Sequence, residues 1–381
     1  MIKDALVKKV TLTGKSSNVV ASGVIFTVHG RDCRVSARKE VLLCGGSFGS
    51  PQILELSAIG SSSLLGSHSI EVIIDNDNVD ENLQDHPLTR YSIEVAGSEI
   101  TMDALQNPEF ARQAYKEYTE HKTGFLAAPV ISSSAFLPYY ITSTENEKSQ
   151  AAAEIDLLLA KGGPLRPGLL KQYQLMKEGL ISDKEPSVQL MLGHGATPMI
   201  GTESTPKLGE SLKANPGKYI TLVSCLLHPF SRGHVHIRSS NPYSAPIIDP
   251  RYLSHPLDLK IFARHLLYNS KITAAEPLAS RLKDRGEVLY PGFYNLTEDN
   301  VRDFIKTQLL STHHPIATCS MLPRDEGGVV DERFKVYGTR NLRVMDASVI
   351  PLQIGCNPTS TVYAIAEMAA DIIKEDWGLN V

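Results

Sequence analysis

Several signals that would place this chain quickly are missing. No apolar run approaches the ~20 residues that cross a bilayer as a helix. The opening MIKDALVKKV has neither an apolar h-region nor a small-residue cleavage site, so no signal peptide is expected there. The five cysteines (Cys33, Cys44, Cys225, Cys319, Cys356) form no C-x-x-C pair and no metal-ligand spacing. That argues against a metal centre, and their apolar or small-residue surroundings predict reduced, buried thiols. A formal net charge of −4 gives no electrostatic case for nucleic acid or an anionic membrane. There is no internal repeat and no low-complexity tract. No Gly-x-Gly-x-x-Gly turn stands ahead of the first strand, so the phosphate-cradling start of a dinucleotide domain is not visible.

What is present is an α/β pattern long enough, at 381 residues, for two domains or one interrupted domain. Residues 5–12, 18–28 and 34–37 read as strands, from alternation and Val/Ile/Phe enrichment. Glu40–Cys44 (EVLLC) is a short continuous apolar run, hence a buried strand. It runs into Gly45-Gly46-Ser47-Phe48-Gly49, after which Ser50 is a natural N-cap and Pro51 a first helical residue. Residues 70–75 read as a further strand. From about 86 to 310 the composition changes, with helices near 101–121 and 257–275 and strands near 188–192, 219–227 and 234–238. The clearest helix is 358–374, where Val362, Ile365, Ala366, Ala369, Ile372 and Ile373 share one face.

Three constellations could carry chemistry. Gly45-Gly46-Ser47-Phe48-Gly49 fits the nucleophile-elbow pattern G-x-S-x-G, so a serine hydrolase using Ser47 is one reading; a tight turn, or a turn that contacts a cofactor, are the others. His314 precedes Pro315, which holds it in extended backbone, and a near-neutral imidazole is a suitable base for an alcohol proton. Its neighbour His313 should point the other way. Asn357-Pro358-Thr359 reads as an N-cap with Pro at N1; a helix starting there turns its positive end and free N–H groups toward whatever lies in front.

Taken together, the motifs resemble the glucose–methanol–choline (GMC) flavin oxidoreductases of fungal type. EVLLCGGSFGSPQILELSAIG (residues 40–60) is similar to the family's second signature. Val79–His86 resembles its Val-Gly-x-Asn-Leu-Gln-Asp-His segment, Pro229–Asp249 its Pro-x-Ser-Arg-Gly-x-Val stretch, and 314–373 its C-terminal block. The resemblance implies a discontinuous FAD-binding, Rossmann-like domain (1–85 and 311–381) and a substrate domain with a β-sheet and flanking helices (86–310). It implies oxidation of an alcohol by hydride transfer to FAD, with His314 as the base and Asn357 as its partner on the hydroxyl oxygen. Cofactor contacts fall by resemblance on Val7 and Cys44-Gly45-Gly46 near the adenine, on Asp346 and Ala347 along the ribityl and phosphate side, and on Asn357, Pro358 and Thr359 at the pyrimidine end. The small-molecule partner is an alcohol, expected not to be a sugar given few aromatics; neither its identity nor the electron acceptor follows.

The sequence also departs from the family pattern. The first phosphate-binding βαβ block is not seen, which leaves a truncated, flavin-free and inactive chain as a competing expectation. Ala58, Asp80 and Ala317 each stand where the family usually carries Gly, at places where the backbone is expected to be open mainly to Gly.

Overall fold

The computed structural model describes residues 1–14, 18–129, 131–161, 167–196, 217–286, 288–290 and 293–379. The alternating segments at the start form an antiparallel sheet of β1 (Ala5–Thr13), β2 (Val20–Val28) and β3 (Arg31–Ser36), in which Val10 lies opposite Val24. The apolar run becomes β4 (Val41–Leu43), followed by the glycine-turn helix Gly46–Leu56. Short strands β5 (Ile59–Gly60) and β6 (Ile74–Asp75) pair in parallel, so only the end of the predicted 70–75 strand forms. β7 (Glu81–Leu83) and β8 (Pro87–Glu94) follow.

β8 enters a larger antiparallel sheet with β9 (Ile131–Leu137), β10 (Val188–Gly193) and β11 (Tyr219–Leu226), in the spatial order β8-β11-β10-β9. β12 (Gly233–His236) and β13 (Ile247–Asp249) pair back onto β7, which brings this stretch against the first part of the chain. β14 (Val288–Tyr290), β15 (Phe293–Tyr294) and β16 (Leu310–Ser311) complete the large sheet beside β8. β17 (Leu342–Val344) then pairs in parallel with β4 across some 300 residues of chain, and the helix Thr359–Asp376 closes the fold.

Among the described residues two large apolar cores result, with a small third cluster of Ile316, Ala317 and Ile350. One gathers Tyr91, Ile93, Ile220, Leu222, Phe262, Leu266 and Phe304 from the large sheet and the helices Pro256–Thr273 and Val301–Gln308. The other joins residues between Val10 and Val79 to residues between Cys319 and Ala369. Buried Arg343 ties the second core to the end of the C-terminal helix through Glu40 (2.6 and 2.8 Å) and Asp376 (2.5 Å). That helix is largely solvent-facing: Ala369 is buried and Val362, Ile365, Ile372 and Ile373 half-buried, while Ala366, expected on the same face, is exposed.

Local expectations needed several corrections. The 101–121 helix is a 3-10 turn (Met102–Gln106) and then an α-helix (Pro108–His121) capped by Asn107; 257–275 is Pro256–Thr273. Of the thiols predicted buried, only Cys225 and Cys319 are; Cys33 is half-buried, and Cys44 and Cys356, in the irregular segments just ahead of two helices, are exposed. The glycine-turn helix starts at Gly46, well before Ser50 and Pro51. Its first N–H is met by the Asp346 carboxylate from a distant turn (3.0 Å), a cap that local sequence does not show. Pro51 therefore lies inside the helix, where it cannot donate to the Ser47 carbonyl. Thr318 Oγ1 donates to that carbonyl instead, at 2.8 Å.

The three departures from Gly all adopt left-handed backbone: Ala58 at φ +68, Asp80 at +70 and Ala317 at +78. The glycine-like geometry persists there without the glycine, at a cost of roughly 1–2 kcal/mol per residue.

Candidate functional site

The segment Asn82-Leu83-Gln84-Asp85-His86 is a clamp, and its polar residues hold the two chain pieces that carry the predicted pair. The Asn82 amide donates to the Pro351 carbonyl (3.1 Å) and Gln84 Nε2 to the same oxygen (3.1 Å), while Gln84 Oε1 accepts from the Gln353 N–H (3.0 Å). Asp85 Oδ1 accepts the His314 N–H (2.9 Å), and its Oδ2 accepts from Ser311 and from Tyr252 (2.5 Å). Gln353 Nε2 donates to the His314 carbonyl (3.1 Å), which links the two clamped pieces to each other.

The clamp brings His314 and Asn357 together, with Asn357 Nδ2 3.3 Å from His314 Nε2. His314 is half-buried and Asn357 exposed, whereas His313, at φ +60, is exposed and contributes no ring contact to the pair. Asn357 does not cap the C-terminal helix as expected. Pro358 takes the cap position, and the Asn357 carboxamide reaches His314 instead.

A residue that sequence reasoning did not single out fixes the protonation pattern. His86 Nε2 lies 2.9 Å from the Ile354 carbonyl, which can only accept, so that nitrogen carries the proton. Burial pushes the His86 pKa down to about 3, so its ring is neutral and Nδ1 is bare. His314 Nδ1 is 2.9 Å from this Nδ1 and must donate to it. Burial, partly offset by Asp85, also lowers the His314 pKa, so its own ring is neutral at pH 7 and Nε2 is left without a proton. The chain of contacts therefore aims an unprotonated base nitrogen at the Asn357 side. The only sequence signal for this role was the place of His86 at the end of the motif.

The glycine turn sits beside this pair. Both oxygens of Asp346 are occupied inside the protein: Oδ2 accepts from Gly46 N–H (3.0 Å) and Ser50 Oγ (2.5 Å), Oδ1 from Ser348 N–H (2.8 Å) and Oγ (2.5 Å). Ser50 Oγ in turn accepts the Gly45 N–H at 2.9 Å. Asp346 and Ala347 are thus joined to Gly45-Gly46, and any ligand meets the backbone of these turns rather than the carboxylate. Ser47 is buried, and its hydroxyl donates to the Pro315 carbonyl at 2.6 Å. Its hydroxyl serves a carbonyl and not an imidazole, so the elbow geometry of a serine hydrolase is not built here. Val7 belongs to a separate ladder, half-buried on β1 opposite Phe26.

The Cys356–Thr359 turn and Cys44-Gly45 are exposed apart from Pro358. The 18-residue C-terminal helix begins there with no side-chain cap and no acidic residue in its first turn. Its first N–H groups and dipole favour a negatively charged group, which is the character of a reduced flavin ring.

Family models described as GMC oxidoreductase match residues 1–88 and 229–366. The chain belongs to the GMC oxidoreductase family. It is 33% identical over 388 residues to the dehydrogenase mpl7 of Monascus purpureus, covering 100% of this chain and 61% of that protein. It is 30% identical over 379 residues to patulin synthase of Penicillium expansum, covering 97% of the chain and 54% of the relative. Its fold superposes on an FAD-dependent oxidoreductase from Chaetomium thermophilum with a TM-score of 0.84 at 26% identity, over 100% of this chain and 62% of that one. The chain therefore spans between 54% and 61% of the length of these curated relatives. Among the described residues no helix is long and apolar enough to cross a membrane.

Proposed function

We propose that this chain carries the base and the flavin-ring side of an FAD-dependent oxidoreductase that oxidises the CH–OH group of a small, non-sugar alcohol in fungal secondary metabolism. One observation carries the reading: His86 sets His314 so that an unprotonated Nε2 faces the Asn357 amide. A hydroxyl oxygen lying against both and replacing their direct 3.3 Å contact would donate its proton to Nε2 and accept from Nδ2, and the alkoxide character that develops would be met by the amide. Bound FAD supplies the hydride acceptor. Within the chain, Gly45-Gly46, Ala347 and the backbone of Asn357-Pro358-Thr359 would hold the flavin side, with Val7 and Cys44 toward the adenine.

We assign 1–85 and 311–381 to the cofactor side and 86–310 to the substrate side. The separate apolar cores support that division. The names of the relatives, a dehydrogenase and a patulin synthase, support the reaction class and the metabolic setting.

The test is the visible spectrum of the purified chain after incubation with FAD and desalting, followed by a panel of alcohols. A retained flavin band and turnover are expected. His314→Ala should keep the flavin and lose roughly 10²–10⁴-fold in turnover. A colourless protein overturns the reading in favour of the flavin-free one, and full turnover in His314→Ala overturns the assignment of the base.

A further inference from the structure

Glu55, Asp80 and His236 meet inside the protein from three places: the end of the glycine-turn helix, the residue ahead of β7 and the last residue of β12. Their donor atoms all lie within 4.8 Å of one another. Glu55 and Asp80 are 0% exposed, and the His236 side chain is 19% exposed.

Asp80 is the observation that demands an explanation. No donor among the described residues reaches either of its carboxylate oxygens; the one polar side chain it meets is the Glu55 carboxyl, and the two can bond only if a proton or a cation sits between them. At 0% exposure its carboxyl is out of contact with bulk water. The backbone fixes where this side chain points, because Asp80 N–H donates to the Thr318 carbonyl (2.9 Å) and its carbonyl accepts from Val235 N–H (2.8 Å) at φ +70. It faces Glu55, whose own oxygens are engaged by His236 Nδ1 (2.8 Å) and Ile237 N–H (2.8 Å). Two carboxyls so placed repel each other in a region water does not reach, which costs several kcal/mol per unpaired charge unless a cation or proton intervenes.

We propose that Glu55, Asp80 and His236 form a buried site for one divalent transition cation of the Zn²⁺ class, separate from the His314–Asn357 pair and structural in role. Two carboxylates balance the double charge, and the His236 imidazole supplies the third donor once the ion displaces the proton that Glu55 and Glu81 stabilise on it. One nitrogen and two oxygens suit Zn²⁺ or Mn²⁺ better than Ca²⁺, which takes six or more oxygens. His236 Nε2 lies 3.4 Å from Glu81 Oε1. That places a carboxylate behind the ring, the arrangement that orients a metal-bound imidazole and holds its tautomer. The partly exposed His236 gives the ion a way in. Once held, the ion pins β12 and the glycine-turn helix to the start of β7.

The experiment uses the full chain, dialysed against a chelator and then titrated with ZnCl2, with MnCl2 as a second probe. Metal content after desalting and the melting temperature are read for wild type, Asp80→Gly, His236→Gln and Glu81→Gln. Asp80→Gly is the informative variant, because Gly adopts φ +70 without strain and the fold survives the change. The expected result is one retained ion per chain and a saturable rise in melting temperature for wild type. Asp80→Gly and His236→Gln should show neither, and Glu81→Gln should bind roughly 10–100-fold more weakly. A wild type that retains no metal and melts at the same temperature with either salt overturns the proposal and leaves a shared proton between the two carboxyls. Equal stabilisation of wild type and Asp80→Gly overturns it too, since the ion then sits elsewhere.

Discussion

Asp80 and Asp85 stand five residues apart in one motif, and both are buried, yet they live differently. Asp85 accepts from a backbone N–H and two hydroxyls and so holds His314 in place. Asp80 accepts from nothing among the described residues. The first is a carboxylate whose desolvation is offset by donors, and it serves the site through the backbone it fixes. The second has no donor on its oxygens, burial and the neighbouring Glu55 push its pKa up, and its backbone is strained. Burial alone therefore says little about what an acidic residue does; the donors around it decide.

The largest effect that tests this contrast comes from removing Asp85. Asp85→Ala leaves the His314 N–H and the Tyr252 and Ser311 hydroxyls without their acceptor, and each buried unpaired donor costs about 1–3 kcal/mol. Unfolding by urea should show a loss of about 2–4 kcal/mol. Asp85→Asn keeps an acceptor and should recover much of that loss. Removing the negative charge also removes the influence that raises the His314 pKa, so the acid limb of kcat/KM should move to lower pH in Asp85→Asn. A wild-type urea midpoint in Asp85→Ala would break the comparison.

An opposite sign is expected at Asp80. In chelator-treated protein Asp80→Gly relieves left-handed strain and deletes an unpartnered carboxyl, and it should raise stability by about 1–2 kcal/mol. Asp80→Ala removes the carboxyl but keeps the Cβ, so the difference between the two variants isolates the backbone contribution. If Asp80→Gly destabilises the chelator-treated chain, Asp80 has a partner and the contrast with Asp85 fails.

Much of the candidate site was legible in the sequence because its parts are contiguous motifs. The His-Pro step at 314–315, the Asn-Pro-Thr helix start and the glycine turn each announced themselves. The three positions where Gly was expected even revealed their backbone, since φ is positive at Ala58, Asp80 and Ala317. What was not legible depends on partners far away in the chain. The Asp346 cap moved the glycine-turn helix back to Gly46 across 300 residues. His86 became the setter of His314 through a contact spanning 228 residues. Asn357 gave up a local capping role for a ring 43 residues away. Local propensity cannot weigh such offers, because each is made by tertiary structure. The parallel pairing of β4 with β17 has the same origin, as a three-residue strand carries no mark of its partner.

The smallest effect concerns His313, which tests whether charge near the site acts through space without contact. Burial is the main cause that lowers the His314 pKa; Asp85 raises it, and His313 lowers it further. In the proposed reaction His314 acts unprotonated, so kcat/KM should rise with pH through the His314 pKa, with an acid limb below the ordinary histidine value of about 6.5. His313→Asn removes the like charge while leaving an exposed side chain that tolerates φ +60. The limb should then move to higher pH, opposite to the shift in Asp85→Asn, with stability and the plateau rate unchanged. A limb that stays put would mean that the His313 charge is screened by solvent and that the pH response belongs to Asp85 and burial alone.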